Sequence, residues 1–268
     1  MAAETITPSN LPDWLLGRGR HFVTTAEISE LLGVPQQTVA TSLHRPRRAN
    51  KIVSVTKGGW VPVPPTHRSA GAPPPIDYID QMMRFLDHAY YVGFLSAARM
   101  HGASHQVPMV LQIVTPARLR DRRIGRHRIQ YIRRANAATR PVELRDTETG
   151  RITVATTETT VLDVVNAPQH AAGLGNVGNV LGELLLENRL DTTRLAEDAV
   201  DYPTVVTQRV GWLLEYMAAE VGTTVDLSPL QELVGSLDYT LLDPRLADAG
   251  PRNDHWRVIL NTDVEHDL

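Results

Sequence analysis

FVTTAEISELLGVPQQTVATSL, residues 22–43, is the stretch whose reading decides the fold. Thr24 or Thr25 can cap a helix, Glu27 falls in the first turn where negative charge is favourable, and Ile28, Leu31 and Leu32 form one apolar face. Gly33 ends that helix. Val34 can pack inward, Pro35 suits the first turn of a second helix, and Val39 and Leu43 recur at the four-residue spacing of a buried stripe. Helix, tight glycine-containing turn, helix is a helix-turn-helix.

Helical geometry then fixes what faces outward. With Val39 and Leu43 in the core, Gln37, Thr41, His44 and Arg45 point away from it, and Gln36 and Thr38 sit at the N-terminal end. A second helix from Gln36 to Arg45 is therefore expected to present groups that read base edges. Glutamine binds adenine bidentately, arginine binds guanine, and threonine offers a hydroxyl and a methyl. Arg47, Arg48 and Lys51 follow, then KIVSV (51–55), the turn KGG (57–59) and WVPV (60–63). These read as a two-stranded wing with Lys57 at its tip. Lys51 and Lys57 are the only lysines against 25 arginines, and their place in this ribbon suits compact cations set for phosphate contact. Helix-turn-helix folds also serve as protein-interaction modules, and any wing needs a polar tip. An outward face and wing free of acid favour double-stranded DNA.

VPVPPTHRSAGAPPP (61–75) holds six prolines and almost no large apolar side chain, which predicts an extended connection without a core. The expected division is a winged helix-turn-helix domain over 1–64, a proline-rich linker over 65–75 and a larger domain over 76–268. In the latter, Ile79, Met82, Met83, Leu86 and Ala89 recur at helical spacing and 94–100 reads as a short helix. MVLQIVT (109–115), RIQYIR (128–133) and RITVAT (151–156) read as strands. Helices dominate from Thr157 onward, and WRVILN (256–261) is expected to return as a strand to the sheet. The fold class is mixed α/β.

Charge sharpens this division. The chain has 268 residues and a net charge of −3, yet residues 1–151 carry +10 and residues 152–268 carry −13. The basic half divides into +4 over 1–68 and +6 over 69–151. One end is suited to a polyanion and the other is not. The absence of cysteine excludes disulfides, thiol catalysis and Cys-ligated metal sites. The opening residues do not read as a leader, and no segment is apolar enough to span a membrane, so a cytoplasmic protein is expected.

Arg118, Arg120, Arg122, Arg123, Arg126, Arg128, Arg133 and Arg134 face a single acid, Asp121, in 17 residues. Between strands this run reads as an exposed hairpin: a second anionic contact, most simply DNA backbone, or a partner with an acidic face, or a solvated loop. GLGNVGN (173–179) has the glycine spacing of a dinucleotide fingerprint but follows a turn and not a strand, so a glycine-rich helix connection is expected. His101 and His105 have two-ligand helical spacing without a third ligand, and a histidine pair without metal is expected. Asp163 in VLDVV reads as a solvated or capping acid. The second domain has no lysine, which argues against a nuclease that pairs strand acids with a lysine. Glu183, Glu187, Asp191, Glu197, Asp198 and Asp201, against Arg189 and Arg194, mark amphipathic helices with an anionic face: a solvated surface, or a mimic of nucleic acid that masks a basic protein.

The helix-turn-helix, the wing ending GGWVPVP (58–64), YYVGFLSAARMHGA (90–103) and ITVATTETTVLDVV (152–165) together resemble the AbiEi antitoxins of bacterial toxin–antitoxin pairs. That resemblance implies a winged-helix domain followed by an α/β domain. It also implies binding of operator DNA to repress the protein's own operon, and neutralisation of a nucleotidyltransferase toxin encoded beside it. Gln36, Gln37, Thr38, Thr41 and Arg45 match the recognition-helix surface and Lys57 the wing. Thr159 and Thr160 after Glu158 depart from the family pattern, in which a basic or small residue is expected. No cofactor and no catalytic constellation are implied.

Overall fold

The computed structural model describes residues 5–103, 110–235, 237–247 and 249–267. Its contacts divide the chain into two compact units, one of residues Met1–Tyr91, Met109–Ala138 and Leu144–Thr153, the other of Val92–Pro108, Thr139–Glu143 and Val154–Leu268. The fold is mixed α/β, as the patterning predicts.

The first unit opens with α1 (Leu11–Leu16), β1 (Val23–Thr24), α2 (Thr25–Leu32), α3 (Gln36–Ser42), α4 (His44–Arg48), β2 (Ile52–Thr56) and β3 (Gly59–Pro62). Thr24 closes a reciprocal capping box: its hydroxyl accepts from the Glu27 N–H at 3.2 Å, and the Glu27 carboxylate accepts from the Thr24 N–H at 2.7 Å. Burial alone would raise the Glu27 pKa, but the bonds from Thr24 and the Arg20 charge outweigh it and hold the carboxyl below its ordinary value. Gly33 ends α2 at φ 63°, a left-handed conformation that costs other residues more. Val23, Ile28, Val39, Leu43, Ile52 and Trp60 pack with Leu11 and Leu15 into one core. β1, β3 and β2 form a small antiparallel sheet in that order, with Val23 opposite Trp60 and Val53 opposite Val61.

One expectation changes here. The helix expected from Gln36 to Arg45 stops at Ser42, and His44 and Arg45 belong to a separate turn of helix. Pro46 explains the break: it has no N–H to offer the Ser42 carbonyl, and its ring would collide with that carbonyl in a continuous helix. In α4 it occupies the first turn, where no N–H partner is required.

The stretch expected to be extended is instead folded. Pro65–Ala70 and Pro75–Asp77 are 3-10 helices, and Ala72 and Pro75 are buried. The first unit continues with α5 (Ile79–Phe85). β4 (Tyr91–Val92) crosses into the second unit, which holds α6 (Phe94–Met100). The first unit resumes with β5 (Val110–Thr115), β6 (Arg122–Ile124) and β7 (His127–Arg133). β5 and β7 run parallel, with Val110 opposite Arg128, and β6 pairs antiparallel with β7 as a short hairpin.

Strands β8 (Val142–Thr147) and β9 (Gly150–Ala155) each carry residues of both units; in the second unit Val92 pairs in parallel with Val154. The second unit continues with the helices α7 (Thr157–Asn166), α8 (Leu174–Leu186), α9 (Thr192–Ala199), α10 (Thr204–Glu220) and α11 (Ser228–Val234). Val161, Leu162, Leu181, Leu195, Val210 and Leu213 are fully buried within it. The chain ends with β10 (Thr240–Leu241), β11 (Arg252–Asn253) and β12 (Val258–Ile259). β12 does not join the main sheet as expected. It lies between β10 and β11 in a separate three-stranded sheet.

Candidate nucleic-acid interface

α3, α4 and the β2–β3 turn present their polar residues outward. Gln36, Gln37, Thr38 and Thr41 on α3 are exposed, as are His44, Arg45, Arg47 and Arg48 on α4 and Lys57 between β2 and β3. The Thr38 hydroxyl donates to the Pro35 carbonyl at 2.7 Å, which leaves it an acceptor toward anything outside. The Arg47 guanidinium lies 5.5 Å from the centre of the Trp60 ring, whose Nε1 donates to the Thr25 hydroxyl at 2.9 Å. That ring holds the guanidinium by a cation–π contact.

Lys51 is placed differently from Lys57. Its Nζ is 3.0 Å from Asp13, which also takes Arg68 at 2.9 Å. Such half-exposed pairs are weak in water, so the carboxylate competes with a phosphate for Lys51 without excluding it. Asn50, at φ 49°, donates to the Arg68 carbonyl at 3.1 Å. Asn50 and Arg68 complete this corner, yet neither stands out in the sequence because their partners are 18 and 55 residues away. A cavity of about 380 Å³ opens here, lined by His44, Arg47, Arg48, Asn50, Ser54 and Gly71 among others.

Of the arginine run, Arg118, Arg120, Arg123, Arg126 and Arg128 are exposed, and Arg128 is held by Asp121 at 2.8 Å. Arg122 is half-buried and used internally: Nη1 donates to the Val55 carbonyl at 3.1 Å and Nη2 reaches the Thr56 hydroxyl at 3.4 Å. Both basic segments thus fall in one compact unit.

The remaining candidates lie in the second unit. His101 is buried, its Nε2 2.8 Å from the Ala155 carbonyl and its Nδ1 3.3 Å from the Thr157 hydroxyl; His105 lies outside the described residues. No group of three metal-ligating side chains occurs among the described residues. The glycine-rich segment serves packing. A side chain on Gly175 would meet the Glu265 carbonyl at 2.1 Å, and a 3-10 turn, not a strand, precedes the helix. Asp163, expected to be solvated or capping, is fully buried and accepts from the Tyr202 hydroxyl at 2.7 Å. Glu158 is also buried and accepts from the Asp191 N–H at 3.1 Å.

On the acidic helices, Glu187, Asp191, Glu197 and Asp201 are exposed. Asp191 caps α9 through the N–H groups of Thr193 and Arg194, both at 3.1 Å. Partial burial, reinforced by the charges of Glu158, Glu197 and Asp201, pushes the Asp198 carboxyl up to about 6. A carboxyl raised in the folded state binds more protons there than in the unfolded chain, so stability falls as pH rises from about 4 to about 6. Asp198→Asn is expected to raise the melting temperature at pH 8 and leave it unchanged at pH 4. Equal shifts at both pH values would show that Asp198 is not under this repulsion.

Fold and surface together define a mixed α/β protein with exposed cations on one compact unit and exposed acids on helices of the other. Residues 91–216 match the model of the AbiEi antitoxin C-terminal domain, which identifies this part of the chain as an AbiEi-type antitoxin domain. Among solved structures it is similar to the crystal structure of the RV2827C protein from Mycobacterium tuberculosis, at a TM-score of 0.67 and 16% identity over 96% of this chain and 93% of that one. At that identity the likeness concerns fold alone. No curated protein matches the chain. No described helix is long and apolar enough to cross a membrane.

Proposed function

We propose that this protein is an antitoxin of the AbiEi kind and a DNA-binding repressor of its own operon that counteracts a nucleotidyltransferase toxin encoded beside it, acting in the cytoplasm without catalysis or cofactor. One observation carries the DNA reading: Gln36, Gln37, Thr41, His44, Arg45, Arg48 and Lys57 are all exposed on consecutive elements of a helix-turn-helix and hairpin, with no acid among them. α3 enters the major groove, and Arg47, Arg48, Lys51 and Lys57 hold phosphates. The domain division at the proline-rich segment belongs to the same reading, with residues 1–64 as the winged module.

Titrating the protein onto its own promoter fragment at several salt concentrations tests this. About four neutralised phosphates predict that log affinity falls with log salt at a slope of roughly −3.6. Gln37→Ala and Arg45→Ala are each expected to cost about 1–3 kcal/mol on the operator and little on unrelated DNA. Lys57→Ala should instead weaken both and flatten the slope by about 0.9. A salt-independent affinity, or identical binding by all three variants, would overturn the assignment.

Toxin neutralisation falls to the acidic helices. Leu186 and Val200 are exposed, at 57% and 69%, directly beside the exposed acids Glu187 and Asp201. Apolar side chains amid like charges suit a protein with a basic surface better than water.

A further inference from the structure

The arginine hairpin has no part in reading bases, yet it is built onto the wing. Arg122 of β6 donates to the Val55 carbonyl and the Thr56 hydroxyl of β2. At the hairpin tip the Arg126 N–H donates to the Ala70 carbonyl at 2.9 Å. Gly125 makes that approach possible, since a side chain there would meet the same carbonyl at 2.1 Å. Gly71, which lines the basic cavity of α4 and β2, lies against Gly125: a side chain on it would be 3.2 Å from the Gly125 Cα.

The charges on this hairpin are not arranged for its own stability. Arg123 lies directly opposite Arg128 in the β6–β7 register, a placement that repels across the strands. Asp121 neutralises Arg128, and the side chains of Arg118, Arg120, Arg123 and Arg126 are exposed. With Arg128 compensated by Asp121, the exposed cations of this braced hairpin are the ones placed to meet an anion from outside.

We infer that this hairpin is a second phosphate-binding element, which extends the DNA contact from the recognition helix and wing along the flanking backbone. The inference rests on the DNA-binding reading above. An acidic protein partner is the competing occupant. DNA is favoured because Arg122 and Arg126 fasten the hairpin to the strand and loop that border the basic cavity, so a duplex seated on the wing passes close to it.

The experiment compares wild type with Arg123→Ala/Arg126→Ala, substitutions of exposed side chains that leave the Arg126 N–H in place. Two promoter duplexes are used, one trimmed to the protected operator core and one with native flanks. On the flanked duplex, the double variant is expected to lose about 2 from the salt slope. The affinity gap to wild type should then narrow about tenfold between 50 and 200 mM salt. On the trimmed duplex the two proteins should bind alike. Equal binding on both duplexes overturns the inference while leaving the DNA reading intact. Intact DNA binding with lost protection against the toxin assigns the hairpin to the acidic partner and also overturns it. Failure of the wild type to bind either duplex refutes the parent reading instead.

Discussion

Trp256→Ala is expected to destabilise the second unit by about 3–5 kcal/mol, and Gly211→Val to do comparable damage by the opposite route. Trp256 is fully buried, and its Nε1 donates to Glu215 at 2.8 Å. Its six-membered ring occupies the space above Gly211 in α10, where a Cβ would lie 2.0 Å from the nearest ring carbon. A glycine inside a helix costs roughly 0.5–1 kcal/mol relative to alanine, so the sequence tolerates it here for the packing it allows. Removing the ring leaves a cavity, and adding a side chain at 211 expels the ring. The two losses share one volume and must not add. Gly211→Val/Trp256→Ala is expected to be at least 1–2 kcal/mol more stable than the sum of the single effects predicts. Chemical denaturation of the four proteins measures this directly, and simple additivity would show that the ring and α10 do not depend on each other.

The contrast between that contact and the α2–α3 pair shows what a sequence makes legible. Capping at Thr24, the stop at Gly33 and the buried stripe of Ile28, Val39 and Leu43 are all local, and periodicity reads them well. The hairpin turn at Lys57 is equally local. Pro46 was visible too, and it alone splits the expected recognition helix in two. By contrast, nothing within a few residues of Trp256 announces that Gly211 will lie beneath it. β8 reads poorly because VELRDT alternates without a strong apolar face, and Val142 and Leu144 are exposed. Proline composition at 61–75 signals an extended chain only when the chain finds no surface to pack on. Here Ala72 and Pro75 do find one. The same limit holds at the candidate interface, where Gln37 or Arg45 can be proposed from helical spacing. The diversion of Lys51 to Asp13 and of Arg122 to β2 depends on contacts 38 and 67 residues apart.

The acids of α7 are the clearest case in which long-range packing reassigns a residue, and they lead to a second large effect. Asp163 accepts from the Tyr202 hydroxyl just beyond the C-terminus of α9, while Glu158 accepts from the Asp191 N–H at its N-terminus. Two buried carboxyl groups on one helix therefore pin both ends of the helix that carries Glu197 and Asp198. Arg140 covers the outer face of the Tyr202 ring, 3.8 Å from its centre, and donates to the Asp201 carbonyl at 2.8 Å. Tyr202→Phe keeps the ring under Arg140 and removes only the hydroxyl, withdrawing one partner from a fully buried carboxyl. The expected cost is about 1–3 kcal/mol. Tyr202→Ala removes the ring as well and is expected to cost about 3–5 kcal/mol, with Arg140 left over a void. Because the hydroxyl fastens the C-terminal end of α9, Tyr202→Phe should also speed amide hydrogen exchange there more than in α10. Should Tyr202→Phe match wild type in stability and exchange, the ring alone would hold α9, and the acid of VLDVV would have no part in placing the anionic helix.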